Sequence, residues 1–175
     1  MKTHKAPWGK ALIIVSSLVA VFCIGAGVVT PLVLHGTAGF ARNLLQWLPP
    51  AILLGMLPFV VRSYTITDDA ILIRRLFWNT RLERGLLVSA EIAPKIMNQS
   101  LRACGNGGGF SFTGWYWNRK LGLYRAFVTD LNRTVVLRFR LRNVVVSPEH
   151  PEAFVEDLAL PAKGDVTSAI GTAEP

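Results

Sequence analysis

The chain has 175 residues, 51% of them hydrophobic and 17% charged, with a mean hydropathy of +0.37 and a formal net charge of +8. Two cysteines and three widely spaced histidines exclude a disulfide framework and a Cys/His metal quartet.

Lys2, Lys5 and Lys10 make residues 1–10 a basic N-terminal arm. Behind it, Ala11 to Leu34 is a run of 24 residues without a charge. As a helix rising ~1.5 Å per residue it reaches roughly 36 Å, enough to cross a bilayer core of about 30 Å. A secretory signal has an apolar region of only roughly 7–15 residues closed by a small-x-small cleavage site, and this run fits neither feature. A second uncharged run, Leu44 to Val61, contains Pro49, Pro50 and Pro58. Membrane helices tolerate proline where neighbours satisfy the freed carbonyls. The expectation is a transmembrane hairpin over 11–61 with spans 11–34 and 44–61; a re-entrant second segment is the alternative. Trp8 and Trp47 fall where interfacial rings belong, and Gly25-Ala26-Gly27 and Ser16-Ser17 offer small surfaces to another helix.

Positive charge sets the orientation. The arm has three lysines, the loop His35 to Asn43 has only Arg42, and the chain beyond the second run opens with Arg62, Arg74 and Arg75. The positive-inside bias places both termini in the cytoplasm, in a multi-pass inner-membrane protein. From Arg62 onward there are 15 Lys and Arg against 11 Asp and Glu, so that part is only mildly basic.

Residues 62–160 suit one modest core, and their periodicity is mostly two. Tyr64–Thr67, a turn at Asp68-Asp69 and Ala70–Phe77 form a hairpin. Trp78–Thr80 reads as the next turn, with a strand from about Arg81, then an apolar run Ser89–Met97 that Pro94 confines to an edge or bend. Gly105–Gly109 precedes a strand in which Trp115 and Trp117 share a side and Tyr116 takes the other. Leu123–Thr129, a turn at Asp130–Asn132 and a long strand Thr134–Arg142 follow. Ser147-Pro148 is expected to cap a helix running to about Leu160, with Phe154, Val155 and Leu158 facing inward. Residues 161–175 read as a disordered tail.

About seven strands in hairpin order and one capping helix outline a mainly β, α+β barrel of the pleckstrin-homology (PH-like) type. The chain resembles membrane-anchored bacterial PH domain proteins through Tyr64-Thr-Ile-Thr-Asp-Asp-Ala-Ile-Leu-Ile73, Arg102 with Gly105–Gly109, Gly114, Leu121–Tyr124 and Val145–Phe154. The resemblance implies that fold in a membrane setting, and it implies no reaction.

No catalytic set stands out. His4, His35 and His150 fall in three separate places, and Asp68-Asp69 is explained by its turn. Catalytic, cofactor-binding and metal residues are therefore expected to be none. The Gly105–Gly109 run lacks the Lys-Ser/Thr of a phosphate-binding P-loop and reads as a sharp turn around packed aromatics, with an anion nest as the alternative. Arg138, Arg140 and Arg142 alternate with Leu137, Phe139 and Leu141, which on one strand puts three guanidinium groups on a single face. With Arg119 and Lys120 they are the candidate residues for an anionic lipid or a protein partner; the more ordinary reading is a solvated strand face whose charges deter edge-to-edge pairing. The reading is a non-enzymatic, membrane-anchored binding or scaffold module without cofactors, open to lipid, to a protein segment or to further copies of itself. Nucleic acid is disfavoured. The alternative is a subunit of an oligomeric membrane transport or envelope-stress complex.

Overall fold

The computed structural model describes residues 1–33 and 39–158. Part of the expected outer loop, the end of the expected last helix and the whole tail 161–175 lie outside them.

The chain opens with β1 (Lys2–Lys5), then α1 (Lys10–Val33), α2 (Phe40–Met56) and a 3-10 turn, Leu57–Phe59. Strands β2 (Val61–Ile66), β3 (Ala70–Arg75) and β4 (Asn79–Glu83) follow. After a second 3-10 turn come β5 (Leu87–Ile92), β6 (Leu101–Gly107), β7 (Phe112–Asn118), β8 (Gly122–Val128), β9 (Val135–Phe139) and β10 (Asn143–Val146). Helix α3 (Pro151–Asp157) closes the domain. The first sheet has the order β1-β2-β3-β4 and the second β5-β9-β10-β8-β7-β6.

Four expectations are corrected. Residues 1–10, expected as a basic arm apart from the 62–160 domain, contribute a strand to it: β1 pairs antiparallel with β2, with His4 opposite Tyr64. Arm and domain therefore form one body, held further by Lys2 and His4 against Asp157 of α3 at 2.5 and 3.1 Å. The second apolar run becomes a helix earlier and stops earlier than expected. Pro49 and Pro50 lie inside α2, while Pro58 lies in the 3-10 turn and Val61 is already a buried strand residue. Next, the strands are not all in hairpin order, because β10 inserts between β8 and β9 and pairs parallel with β8. Finally, Ser147 does not cap α3. Its hydroxyl is buried and accepts from Thr129 N–H at 2.8 Å, and His150 takes the cap position with Pro151 as the first helical residue.

Alternation fills two apolar layers. Between the sheets lie Val61, Tyr64, Ile71, Ile73, Phe127, Leu137 and Val146, closed by Phe154 of α3 and by Leu158 just after it, as the helical stripe predicts. The opposite parity of the second sheet, with Tyr116, Tyr124, Val136 and Val145, is covered by the bend after β5, where Met97 packs. Pro94 thus ends an edge strand and starts a cover.

Tyr64 ties the two sheets together. Its hydroxyl donates to the Phe127 carbonyl at 2.6 Å and accepts from Ser147 N–H at 3.2 Å. Tyr64→Phe leaves both partners buried without it and is expected to cost about 1–3 kcal/mol in denaturant unfolding. Burial pushes the Tyr64 phenol up from 10.0 to about 12, against weaker opposing hydrogen bonds with Ser147 and Thr129. Since the folded state holds the proton more tightly, stability present below pH 10 is lost as pH rises from there towards 12. The Phe variant should show a shallower alkaline loss.

The helices rise from one end of the sandwich. Gly9 N–H donates to the Thr129 carbonyl at 2.9 Å just before α1, and α2 runs through its 3-10 turn into β2. The two helices pack together where a Cβ on Gly27 would meet Pro50 Cγ at 3.2 Å, whereas Gly25 faces open space. Ser16 is used elsewhere, donating to the Gly108 carbonyl at 3.2 Å and accepting from Phe110 N–H at 2.9 Å. The glycine run is therefore a seat for α1.

Candidate functional site

In β3, the inward parity Ile71, Ile73 continues to Arg75, which is only 9% exposed. In β8 the parity of buried Phe127 reaches back to half-buried Arg125. Each strand thus turns an arginine towards the space between the sheets, Arg75 at the end of β3 that pairs with Val61 and Arg125 midway along β8. The Arg75 guanidinium carbon lies 4.9 Å from the centre of the Phe127 ring, and that of Arg125 lies 5.0 Å from it. Arg75 also lies 5.6 Å from the Trp78 ring. Such contacts offset part of the burial cost of a cation.

These two arginines and Arg102 of β6 border a cavity of about 370 Å³, walled by Met56, Phe59, Trp115 and Phe127. Its width at β6 and β7 follows from a glycine pair. Gly105 stands opposite Gly114, with φ of +116° and +142°, conformations that favour glycine. A Cβ on Gly105 would lie 2.6 Å from Gly114 Cα, and one on Gly114 would lie 2.8 Å from Gly105 Cα.

The electrostatics are one-sided. Among the described residues no carboxylate borders the cavity. The ion pairs among the described residues join Asp157, Asp69, Asp130 and Glu91 to other partners. Arg75 Nε is buried with no hydrogen-bond partner among the described residues. Burial lowers the Arg75 pKa, and the charge on Arg125 lowers it further; burial, then Arg142, does the same to Arg125. Guanidinium groups remain charged at neutral pH even so, and offer forked N–H donors matched to oxyanions.

The sequence-selected cations are placed differently. The alternation proposed for Thr134–Arg142 stops at Phe139, because the chain turns there with Phe139 N–H donating to the Arg142 carbonyl at 3.0 Å. Arg138, Arg140 and Arg142 consequently do not share a strand face. Arg138 pairs with Glu91 at 3.3 Å, and Arg140 and Arg142 are exposed in the turn before β10. Arg119 and Lys120 occupy the β7–β8 turn beside a hollow of about 830 Å³ that Lys95 and Trp117 also line. Register puts both turns at one end of the second sheet: Asn143 pairs with Tyr124 and Asn118 with Gly122, opposite the end where the glycine run meets α1.

Trp115 and Trp117 are part-exposed and Tyr116 is buried, following the alternation. Cys104 is exposed and Cys23 is buried, and both are free. Among the described residues no three His, Cys, Asp or Glu side chains converge as a metal would require.

No curated protein and no solved structure matches the chain. Residues 62–160 match the model of a family described as bacterial PH domain, from β2 through the closing helix. That span is more than half of the sequence, and the chain belongs to the bacterial PH domain family.

Proposed function

We propose that the chain is a non-catalytic PH-domain binding module anchored in a membrane by α1 and α2, with both termini on the cytoplasmic side. PH domains are generally non-catalytic binding modules. The observation that carries the anchor is the uncovered apolar surface of the two helices. Leu18, Val21, Phe22, Val28 and Val33 of α1 and Phe40, Leu45, Trp47 and Leu54 of α2 are all at least half exposed. Water does not support such a surface on a lone domain. Helix α1, with a mean hydropathy of 2.7 over its best window, is long and apolar enough to cross a membrane by itself.

Two further features support a two-span arrangement. Since α1 leaves from and α2 returns to the same end of the sandwich, a crossing by α1 requires α2 to bring the chain back. At that end the turn Leu76-Phe77-Trp78 is exposed, with Phe77 73% open and Trp78 edge-on to Phe59 at 5.5 Å. Aromatic residues flanked by Arg62 and Arg74 suit a bilayer surface.

The chain should stay with membranes through alkaline carbonate extraction. A reporter after Pro175 should be active in the cytoplasm, and one inserted at Thr37 should be active outside. Release into the carbonate supernatant would remove the anchor, and an externally active C-terminal fusion would remove the orientation.

A further inference from the structure

We infer that the cavity bordered by Arg75, Arg102 and Arg125 is a binding site for a phosphate ester, presented to it at the base of α2. Three observations converge on this.

The first is an uncompensated charge. A cation removed from water without a partner is costly, and proteins normally supply a carboxylate or a set of carbonyls. Here the described residues supply none to Arg75 Nε, although that atom is buried and the residue as a whole is only 9% exposed. Arg125 is drawn to the same Phe127 ring, so two like charges are held near each other. An arrangement this unfavourable when empty becomes favourable when an oxyanion occupies it, because each N–H then donates to a charged acceptor.

The second is shape. Gly105 and Gly114 leave the middle of the β6–β7 wall without a side chain, and Met56, Phe59 and Trp115 give an apolar rim. Arg102, exposed and lying along Gly107, reaches the mouth from the outside. A multi-oxygen anion meets three guanidinium groups, while the carbon attached to its ester oxygen meets the rim.

The third is position. Met56 ends α2 and Phe59 ends the turn after it, and both line the cavity. In the anchored arrangement proposed above, this is headgroup depth, which favours an anionic phospholipid over a soluble ester. The choice of lipid as the source rests on that reading; the site itself does not.

The test uses the full chain in a neutral detergent, titrated with dihexanoylphosphatidylglycerol, inorganic phosphate and octanoate while binding and thermal unfolding are followed. The phosphatidylglycerol should bind and raise Tm, more tightly than phosphate and far more tightly than octanoate. Arg75→Met/Arg125→Met should weaken binding about 100-fold or more, at roughly 10-fold or more for each lost charge-assisted hydrogen bond. Its ligand-free Tm should equal or exceed the parent's, because a buried unpaired charge is replaced by an apolar group. Arg102→Gln, at an exposed position, provides the same readout with little risk to folding and should lose about tenfold. Replacing Arg138, Arg140 and Arg142 together by Gln should change affinity less than threefold. Phosphate binding as tightly as the lipid would keep the site and assign it a soluble ester. Octanoate matching the lipid, no binding by the parent, or unchanged binding in both arginine variants would overturn the proposal. Membrane anchorage is read by extraction and is not used in this titration, so the two readings fail separately.

Discussion

Phe154→Ala should be the most damaging single substitution in the sandwich, lowering stability by about 3–5 kcal/mol. The ring is fully buried, edge-on to His4 at 5.1 Å and to Tyr64 at 6.1 Å. It therefore joins the closing helix to both the N-terminal strand and the central one. Helix α3 has seven residues, too few to hold its shape without tertiary contacts. Truncating the ring leaves a cavity and also releases the clasp that Lys2 and His4 make with Asp157. At about 4–8 °C per kcal/mol for a domain of this size, Tm should fall by more than ~10 °C. Limited proteolysis should then cut within residues 1–10 first. A loss below ~1 kcal/mol would show that α3 is an ornament on a sandwich stable without it.

Gly114→Ala is expected to cost about 2–4 kcal/mol, combining the penalty of a left-handed conformation with overpacking against the facing strand. The added Cβ would run into the Cys104 carbonyl and approach Gly105 Cα at 2.8 Å, and neither is a flexible side chain that can swing aside. Gly105→Ala should behave alike, since its Cβ meets the Thr113 carbonyl. The matched control is Gly85→Ala, where nothing lies within 4 Å, and its effect should stay within ~0.5 kcal/mol. Urea unfolding of the three variants separates the two classes. Equal effects at Gly85 and Gly114 would mean that the β6–β7 pair has slack.

Much of the fold is legible in residue order. Period-two alternation places β2, β3, β7 and β8, and the 24-residue uncharged run differs from α1 by one position at each end. The misses have physical causes. Thr3 and His4 look like any polar arm until β2 offers an edge, a pairing that sequence separation hides. Across Arg138–Arg142 the alternation runs on through a turn, because a turn imposes no break in a pattern of side-chain polarity. The candidate site shows the reverse error. Residue order points to the denser Arg138–Arg142 cluster, yet Arg75 and Arg125 each sit in phase with buried Ile71, Ile73 or Phe127. A cation on the inward parity of a strand is a stronger pointer to a site than several cations on the outward one, since burial must be compensated while exposure need not be.

The pairing of β1 with β2 bears on how the protein is made. Everything between Lys5 and Ser63, both helices included, is a loop whose base is this one strand pair. The first strand leaves the ribosome long before its neighbour exists, so it waits through the synthesis of α1 and α2. Closing so long a loop costs entropy before any contact repays it. The sandwich is completed only when the second helix has brought the chain home. A nascent chain whose second helix strays leaves the outer edge of β2 bare, with unpaired N–H and C=O groups that invite aggregation or capture by quality control. Delivery of the helices and completion of the sheet are thereby one checkpoint, and only chains with both ends of the loop together acquire a finished edge.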